Sequence, residues 1–367
     1  MRFLPTDEQS DFARTLRALL GAADVPAAVR AWVVGEHGPG RALWSRLAGT
    51  GLFALAARED CDGVGLLPLE LSLGFVELGR AGVPGPVVET AAASVLLSEL
   101  GDQGPAKRFV PGLAAGEASA TLTLPGGSPY ALDADAATYC FTVSAKGELR
   151  LAAGGAGTAG ALGRAGGPGT SDAVGPAGTA GTAGAAGAAG PAGAGSWAVL
   201  GSLDPARRLS VPAGGELLAS GPAVTAAAET AARWARLLTA AQCLGVGEAL
   251  LAATVEYAKQ RTQFGAPIGS FQAVKHRLAD TLLGLEFARP LLWAAALSTK
   301  AGDVAAAKLT AGEAAYAAAR TALQLHGAVG YTQELDLSLW LRKARPLRDA
   351  WGTPSACRAA VLQARER

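Results

Sequence analysis

Apolar residues recur at helical spacing through the first third of the chain, from about Thr6 to Ala115. Thr6 and Gln9 have the spacing of a capping box, and Phe12, Leu16, Leu19 and Leu20 follow at i, i+4, i+7 and i+8, which predicts an amphipathic helix. Leu43, Trp44 and Leu47 predict a second helix, starting near Arg41 and stopping at Gly49. A Gly-rich turn, Cys61-Asp62-Gly63-Val64-Gly65, precedes an apolar helix over Pro68–Leu78, and Pro84 and Pro86 interrupt the chain before another over Glu89–Leu100. From about Ser119 the pattern changes. Thr121–Leu124, Tyr139–Val143 and Glu148–Leu151 alternate or are rich in Thr and aromatic residues, the last two joined by a Lys146-Gly147 turn, and they predict strands. Trp197–Leu200 and Arg208–Val211 predict two more. Ala-rich helical segments then run over Ala226–Lys259, Phe271–Leu297, Asp303–His326 and Gln333–Arg345, with the short connections of an antiparallel bundle.

The expected organisation is therefore α+β: an N-terminal helical domain (1–118), a small middle β domain (119–222) and a C-terminal four-helix bundle (223–367). Glycine, at 49 of 367 residues, is nearly twice its usual share of about 7%. The excess is concentrated in 154–195, where from Gly175 onward a glycine falls at every third position. Collagen shares that period but needs more proline and much longer runs, so the tract is expected to be a low-complexity loop.

Charge and cysteine usage narrow the chemistry. Lys+Arg (32) nearly balances Asp+Glu (31), which argues against nucleic acid or an anionic membrane as partner. No stretch approaches the roughly 18 to 20 uninterrupted apolar residues of a spanning helix, and the N-terminus turns polar at once, so a cytoplasmic protein is expected. Cys61, Cys140, Cys243 and Cys357 lack CxxC spacing, and His37, His276 and His326 lie far apart, which gives neither a disulfide framework nor a metal site.

Two segments have spacings that packing alone does not explain. One is Tyr257-Ala258-Lys259-Gln260-Arg261-Thr262-Gln263-Phe264-Gly265-Ala266-Pro267-Ile268, followed by Phe271-Gln272; the other is Gln324-Leu325-His326-Gly327-Ala328-Val329-Gly330-Tyr331-Thr332. Together with the helical, β, helical order, they resemble the acyl-CoA dehydrogenase family, whose members carry Y-x-x-x-R-x-x-F-G-x-x-I-x-x-x-Q and Q-x-x-G-G-x-G-Y/F there. Ala328 replaces the second glycine of the latter motif. The resemblance implies flavin adenine dinucleotide (FAD) as cofactor, an acyl-CoA substrate and at least a dimer, because the Arg and Phe motif of one subunit serves its neighbour's flavin. Arg261 offers a bidentate fork for a pyrophosphate, Gln272 and Gln324 can bond phosphate, ribose or adenine, and Gly327 and Gly330 admit a close backbone. Each also has a plain structural alternative: a charge at a helix C-terminus for Arg261, a helix stop for the glycines, core packing for Phe264 and Phe271.

The same resemblance locates an absence. Members of the family take the substrate's α-proton with a glutamate while the hydride goes to the flavin. Counted from Gln324, the usual position of that base is Trp351, followed by matching Gly352 and Thr353, the latter implied to contact the flavin. The other known location, one residue before Arg236, is Ala235; Arg236 itself is implied to contact substrate. Glu229 and Asp349 are the nearest carboxylates that a displaced base could use. Thr123-Leu124-Pro125-Gly126-Gly127-Ser128 resembles a flavin-facing T-E-P-x-x-G-S-D with only Thr123 of its reactive side chains kept, and the Gly/Ala tract begins where a further flavin-facing strand belongs. The chain thus resembles the base-less subunit of heteromeric acyl-CoA dehydrogenases of actinobacterial steroid metabolism. An independent homodimer with a displaced base, and a flavin-free structural subunit, are the alternatives.

Overall fold

The computed structural model describes residues 4–100, 103–153, 197–332 and 334–365; the Gly/Ala tract and the strand it is expected to replace lie outside them. The N-terminal part contains α1 (Asp7–Gly21), α2 (Val25–Val33), α3 (Gly38–Ala48), a strand pair β1 (Ala56–Ala57) and β2 (Gly65–Leu66), then α4 (Pro68–Ala81), α5 (Val87–Ser98) and α6 (Gln103–Ala114). The predicted capping box is present, with Thr6 and Gln9 each bonding the other's backbone N–H. Helix α5 is buried all round, its Val, Ala and Leu residues interrupted by four buried polar ones, Glu89, Thr90, Ser94 and Ser98.

The middle part has β3 (Ala120–Thr123), β4 (Ala131–Leu132), β5 (Tyr139–Val143), β6 (Glu148–Leu151), β7 (Leu209–Ser210) and β8 (Glu216–Ser220). They form a four-stranded sheet in the order β3-β5-β6-β8, with β3 parallel to β5 and the other pairs antiparallel, and a separate β4-β7 pair. The strand expected at Trp197–Leu200 is reduced to a single bridge between Leu200 and Leu209.

The C-terminal part begins with α7 (Pro222–Gln260), continues through a hairpin of β9 (Thr262–Gln263) and β10 (Ala266–Pro267), and ends with α8 (Gln272–Ser298), α9 (Ala301–His326), α10 (Leu337–Asp349) and α11 (Pro354–Arg365). The expected four-helix bundle therefore carries a fifth helix, α11, which packs on α9. Helix α7 is apolar and long enough to cross a membrane, but 67% of its apolar window is buried among its neighbours, as in the core helix of a folded domain.

Its 39 residues span about 58 Å and touch α4, α5, α8, α9 and α10. Contact with α4 is backbone to backbone. A Cβ on Gly245 would lie 1.9 Å from the Val76 carbonyl oxygen, and one on Gly79 would lie 2.2 Å from that of Gln242. Beside this crossing two buried carboxylates are each held by two guanidinium groups: Glu77 by Arg17 (2.7 Å) and Arg80 (3.2 Å), and Glu248 by Arg80 and Arg289 (2.7 Å). Paired in this way, buried charges fix one arrangement of α1, α4, α7 and α8. Gly245→Ala should lower stability by about 3 kcal/mol or more, since the blocking atom belongs to a helix backbone; an unchanged urea midpoint would show that the helices can separate at no cost.

Candidate functional site

A cavity of about 580 Å³ lies where the three parts of the chain meet. The β3–β4 connection forms one wall from Leu124 to Tyr130, Ala232 and Arg236 of α7 form another, and the segment from Pro346 to Ala356 closes a third. Glu89 enters from α5.

The α10–α11 connection is held in an unusual shape. Trp351 has φ +56° and Gly352 has φ +147°. Left-handed backbone at a bulky residue is strained and persists only where its surroundings enforce it. Here the Arg236 Nε donates to the Trp351 carbonyl (2.9 Å), and Lys308, buried in α9, donates to the carbonyls of Arg348 (2.8 Å) and Gly352 (3.4 Å). A Cβ at Gly352 would lie 3.0 Å from Arg236 Nε and from Cys357 Sγ, so the turn requires glycine. The Thr353 hydroxyl accepts from the Ala356 N–H (3.3 Å), an N-cap for α11.

The Trp351 indole N–H donates to Glu89 Oε1 at 3.0 Å. Glu89 is 4% exposed, and burial pushes its carboxyl above the usual carboxylate range against the opposing influence of Arg207 and the indole. Behind Glu89 is a second, polar cavity of about 20 Å³, bordered by Asp133, Arg207, Gln242 and Lys343. Asp133, fully buried and accepting the Arg208 N–H at 3.1 Å, is pushed up to about 7 by burial.

Residues 6–117 match the model of the acyl-CoA dehydrogenase N-terminal domain, and residues 225–364 match that of the C-terminal domain. Acyl-CoA dehydrogenase IpdE2 of Mycobacterium tuberculosis is 32% identical over 343 residues, which cover 93% of this chain and 92% of the relative. The chain belongs to the acyl-CoA dehydrogenase family. Two solved structures share the fold. Butyryl-CoA dehydrogenase from Megasphaera elsdenii has a TM-score of 0.76 at 20% identity over 100% of both chains. The Tcur3481-Tcur3483 steroid ACAD has a TM-score of 0.74 at 22% identity over 97% of each.

Against this family frame, the residues singled out from sequence fall into two groups. Arg236, Asp349, Trp351 and Thr353 line the cavity. Thr123 sits on β3 between cavity-lining Leu122 and Leu124, and strand alternation turns it to the other face. Ala235 is buried in the core of α7, and Glu229 is exposed on the same helix and does not line the cavity. Asp349 is on the cavity rim and ion-paired with Arg348 (3.7 Å) and Arg345 (3.8 Å).

Arg261, Phe264, Gln272, Gln324 and Gly327 form the second group, all exposed. Stacking of Tyr257 on His326, ring centroids 4.1 Å apart, brings the end of α7 beside the end of α9 and so joins the two motif segments. Arg261 lies 25 residues beyond Arg236, roughly 37 Å along the helix direction. The hairpin tip is a two-residue turn with φ +54° at Phe264 and +76° at Gly265, and Phe264 is 94% exposed.

Glu89 and Lys308 escaped sequence reasoning. For Glu89 one signal existed: a lone carboxylate in the first turn of a helix otherwise built to be buried. Because Asp133 is protonated more readily when folded than unfolded, its burial costs stability as pH rises from about 4 to 7 and costs nothing below both values. Asp133→Asn should therefore stabilise the protein at pH 8 by on the order of 2–4 kcal/mol more than at pH 4. Denaturant midpoints at the two pH values check this, and an equal effect at both would contradict it.

Proposed function

We propose that this chain is a flavoprotein subunit of an acyl-CoA dehydrogenase, acting in the α,β-dehydrogenation of an acyl-CoA thioester in the cytoplasm together with a related, glutamate-bearing subunit. The observation that carries the reading is the hairpin tip. An exposed phenylalanine in left-handed backbone has no use in packing its own chain, and Arg261 beside it makes no ion pair within 4.0 Å among the described residues. The pair lies too far along α7 from the cavity for one dinucleotide to span both. The proposal is that Arg261, Phe264, Gln272, Gln324 and Gly327 complete the flavin site of a neighbouring subunit. A stripe of exposed Leu283, Phe287 and Leu291 along α8 supports an oligomer, since single-sided apolar stripes mark association surfaces.

The cavity residues fit the ring end of a flavin with an acyl thioester beside it. The volume is in the range of cofactor pockets. At Gly126, φ +72°, a Cβ would meet nothing within 4 Å, so there is room beside that turn for a planar ligand. The flavin, when bound, would supply hydride acceptance. The chain's own groups would orient the ligand: Arg236 and the strained 350–353 turn on one side, the Leu124–Ser128 turn on the other. With Trp351 and Ala235 at the base positions that the family resemblance implies, the proton acceptor is proposed to come from the partner subunit. The domain limits 1–118, 119–222 and 223–367 belong to the same proposal.

One observation favours the independent homodimer as second reading. The cavity remains open despite Trp351 and contains a buried carboxyl of its own, Glu89, rather than Glu229 or Asp349. Retention of FAD by the purified chain, with turnover in the absence of any other subunit, would select it. For the leading reading, Arg261→Ala should lower the FAD retained by the assembled oligomer after desalting by about tenfold or more, read by flavin absorbance; full occupancy in the variant would remove the proposal's main support.

A further inference from the structure

Glu89 and Arg207 border both cavities, the large one and the small polar one behind it. One carboxyl oxygen of Glu89 accepts the Trp351 indole N–H, and among the described residues no other side chain donates to it. Arg207 makes no side-chain hydrogen bond and no ion pair within 4.0 Å among the described residues, although its charge acts on Glu89 and Asp133. The lining of the large cavity also includes the apolar side chains Leu122, Leu132, Leu209 and Pro346. A hydrocarbon chain packed into this space would cover a carboxyl and a guanidinium and offer them nothing, which leaves polar groups dry and unpaired. A hydroxyl is both donor and acceptor and satisfies the two at once.

We infer that the cavity selects a hydroxylated acyl group over a plain hydrocarbon one, the hydroxyl donating to Glu89 and accepting from Arg207, which rests on the proposed acyl-thioester role of this cavity. A purely structural Glu89, present only to hold Trp351, would give no such selection. Sites built to bond a hydroxyl discriminate strongly against the analogue that lacks it, whereas apolar walls distinguish weakly.

The experiment is calorimetric titration of the full chain, in saturating FAD, with octanoyl-CoA and with its analogues hydroxylated at mid-chain and at the ω-carbon. At least one hydroxylated thioester should bind about tenfold or more tighter than octanoyl-CoA. Glu89→Gln, which keeps hydrogen-bonding atoms at the site, should retain the preference. Glu89→Leu should reduce it to within about twofold; exchanging a buried carboxyl for leucine is compatible with folding, and an unchanged melting midpoint verifies that. Octanoyl-CoA binding as tightly as both hydroxylated analogues to the wild-type chain would overturn the inference, as would a preference that survives Glu89→Leu. Failure of all three thioesters to bind would instead overturn the acyl-thioester role of the cavity, and the inference with it.

Discussion

Everything in this molecule is referred to the contact between α4 and α7, where Gly79 and Gly245 let two helix backbones touch. Side chains of any size would hold the helices apart and shift the N-terminal helices relative to the bundle. Because α5 follows α4 after only a short proline-broken turn, its distance from α7 is inherited from that crossing. The Glu77, Arg80, Glu248 and Arg289 network then locks the rotation, since each buried carboxylate needs both of its cations and neither arrangement survives a sliding of the helices. The consequence at the site is direct: Glu89 of α5 and Arg236 of α7 come to line one cavity, close enough for Trp351 to bond to both, through its indole and its carbonyl.

Trp351 is where the strain of the site is concentrated. A tryptophan in left-handed backbone is unfavourable by itself, and three neighbours compensate: Arg236, Lys308 and the glutamate on which the indole ends. A buried ammonium such as Lys308 is costly; burial pushes its pKa down, and the carbonyl oxygens of Arg348 and Gly352 are what it receives in exchange for water. The support comes from outside the segment, from Arg236 of α7, Lys308 of α9 and Glu89 of α5.

Local physics made much of the fold readable. The capping box at Thr6 and Gln9, the strands at Tyr139–Val143 and Glu148–Leu151, and the four Ala-rich helices all follow from short-range pattern, and the structure has them with ends displaced by a few residues. Helices α2 and α6 went unread because both contain proline, α6 internally at Pro111 and α2 in its first turn. Strand β8 went unread because its Glu216–Ser220 sequence is half exposed and lacks alternation. Helix α11 was hidden behind the glycine-proline turn that precedes it. Of the site, Arg236, Asp349, Trp351 and Thr353 could be named from motif spacing, whereas for Glu89 the one local mark, a lone carboxylate in a helix otherwise built to be buried, does not name its partner, which is 262 positions away.

The two clusters of motif residues are separated along one long helix, the cavity cluster against its N-terminal half and the hairpin at its C-terminal end, and this geometry bears on why one chain carries both. A helix of 39 residues transmits position faithfully, so the placing of Arg236 against the cavity also fixes where the hairpin emerges. The hairpin tip pays for its shape with a phenylalanine in left-handed backbone, and among the described residues its one aromatic neighbour is Phe271, ring centroids 6.3 Å apart. Asparagine or glycine would form the same turn with less strain and no exposed ring. Folding of the isolated chain therefore gives no reason for Phe264 to be there; contact with another subunit does. On the proposed reading, the cavity and the hairpin are halves of two different sites, and the length of α7 would set how far apart those sites are in the assembly.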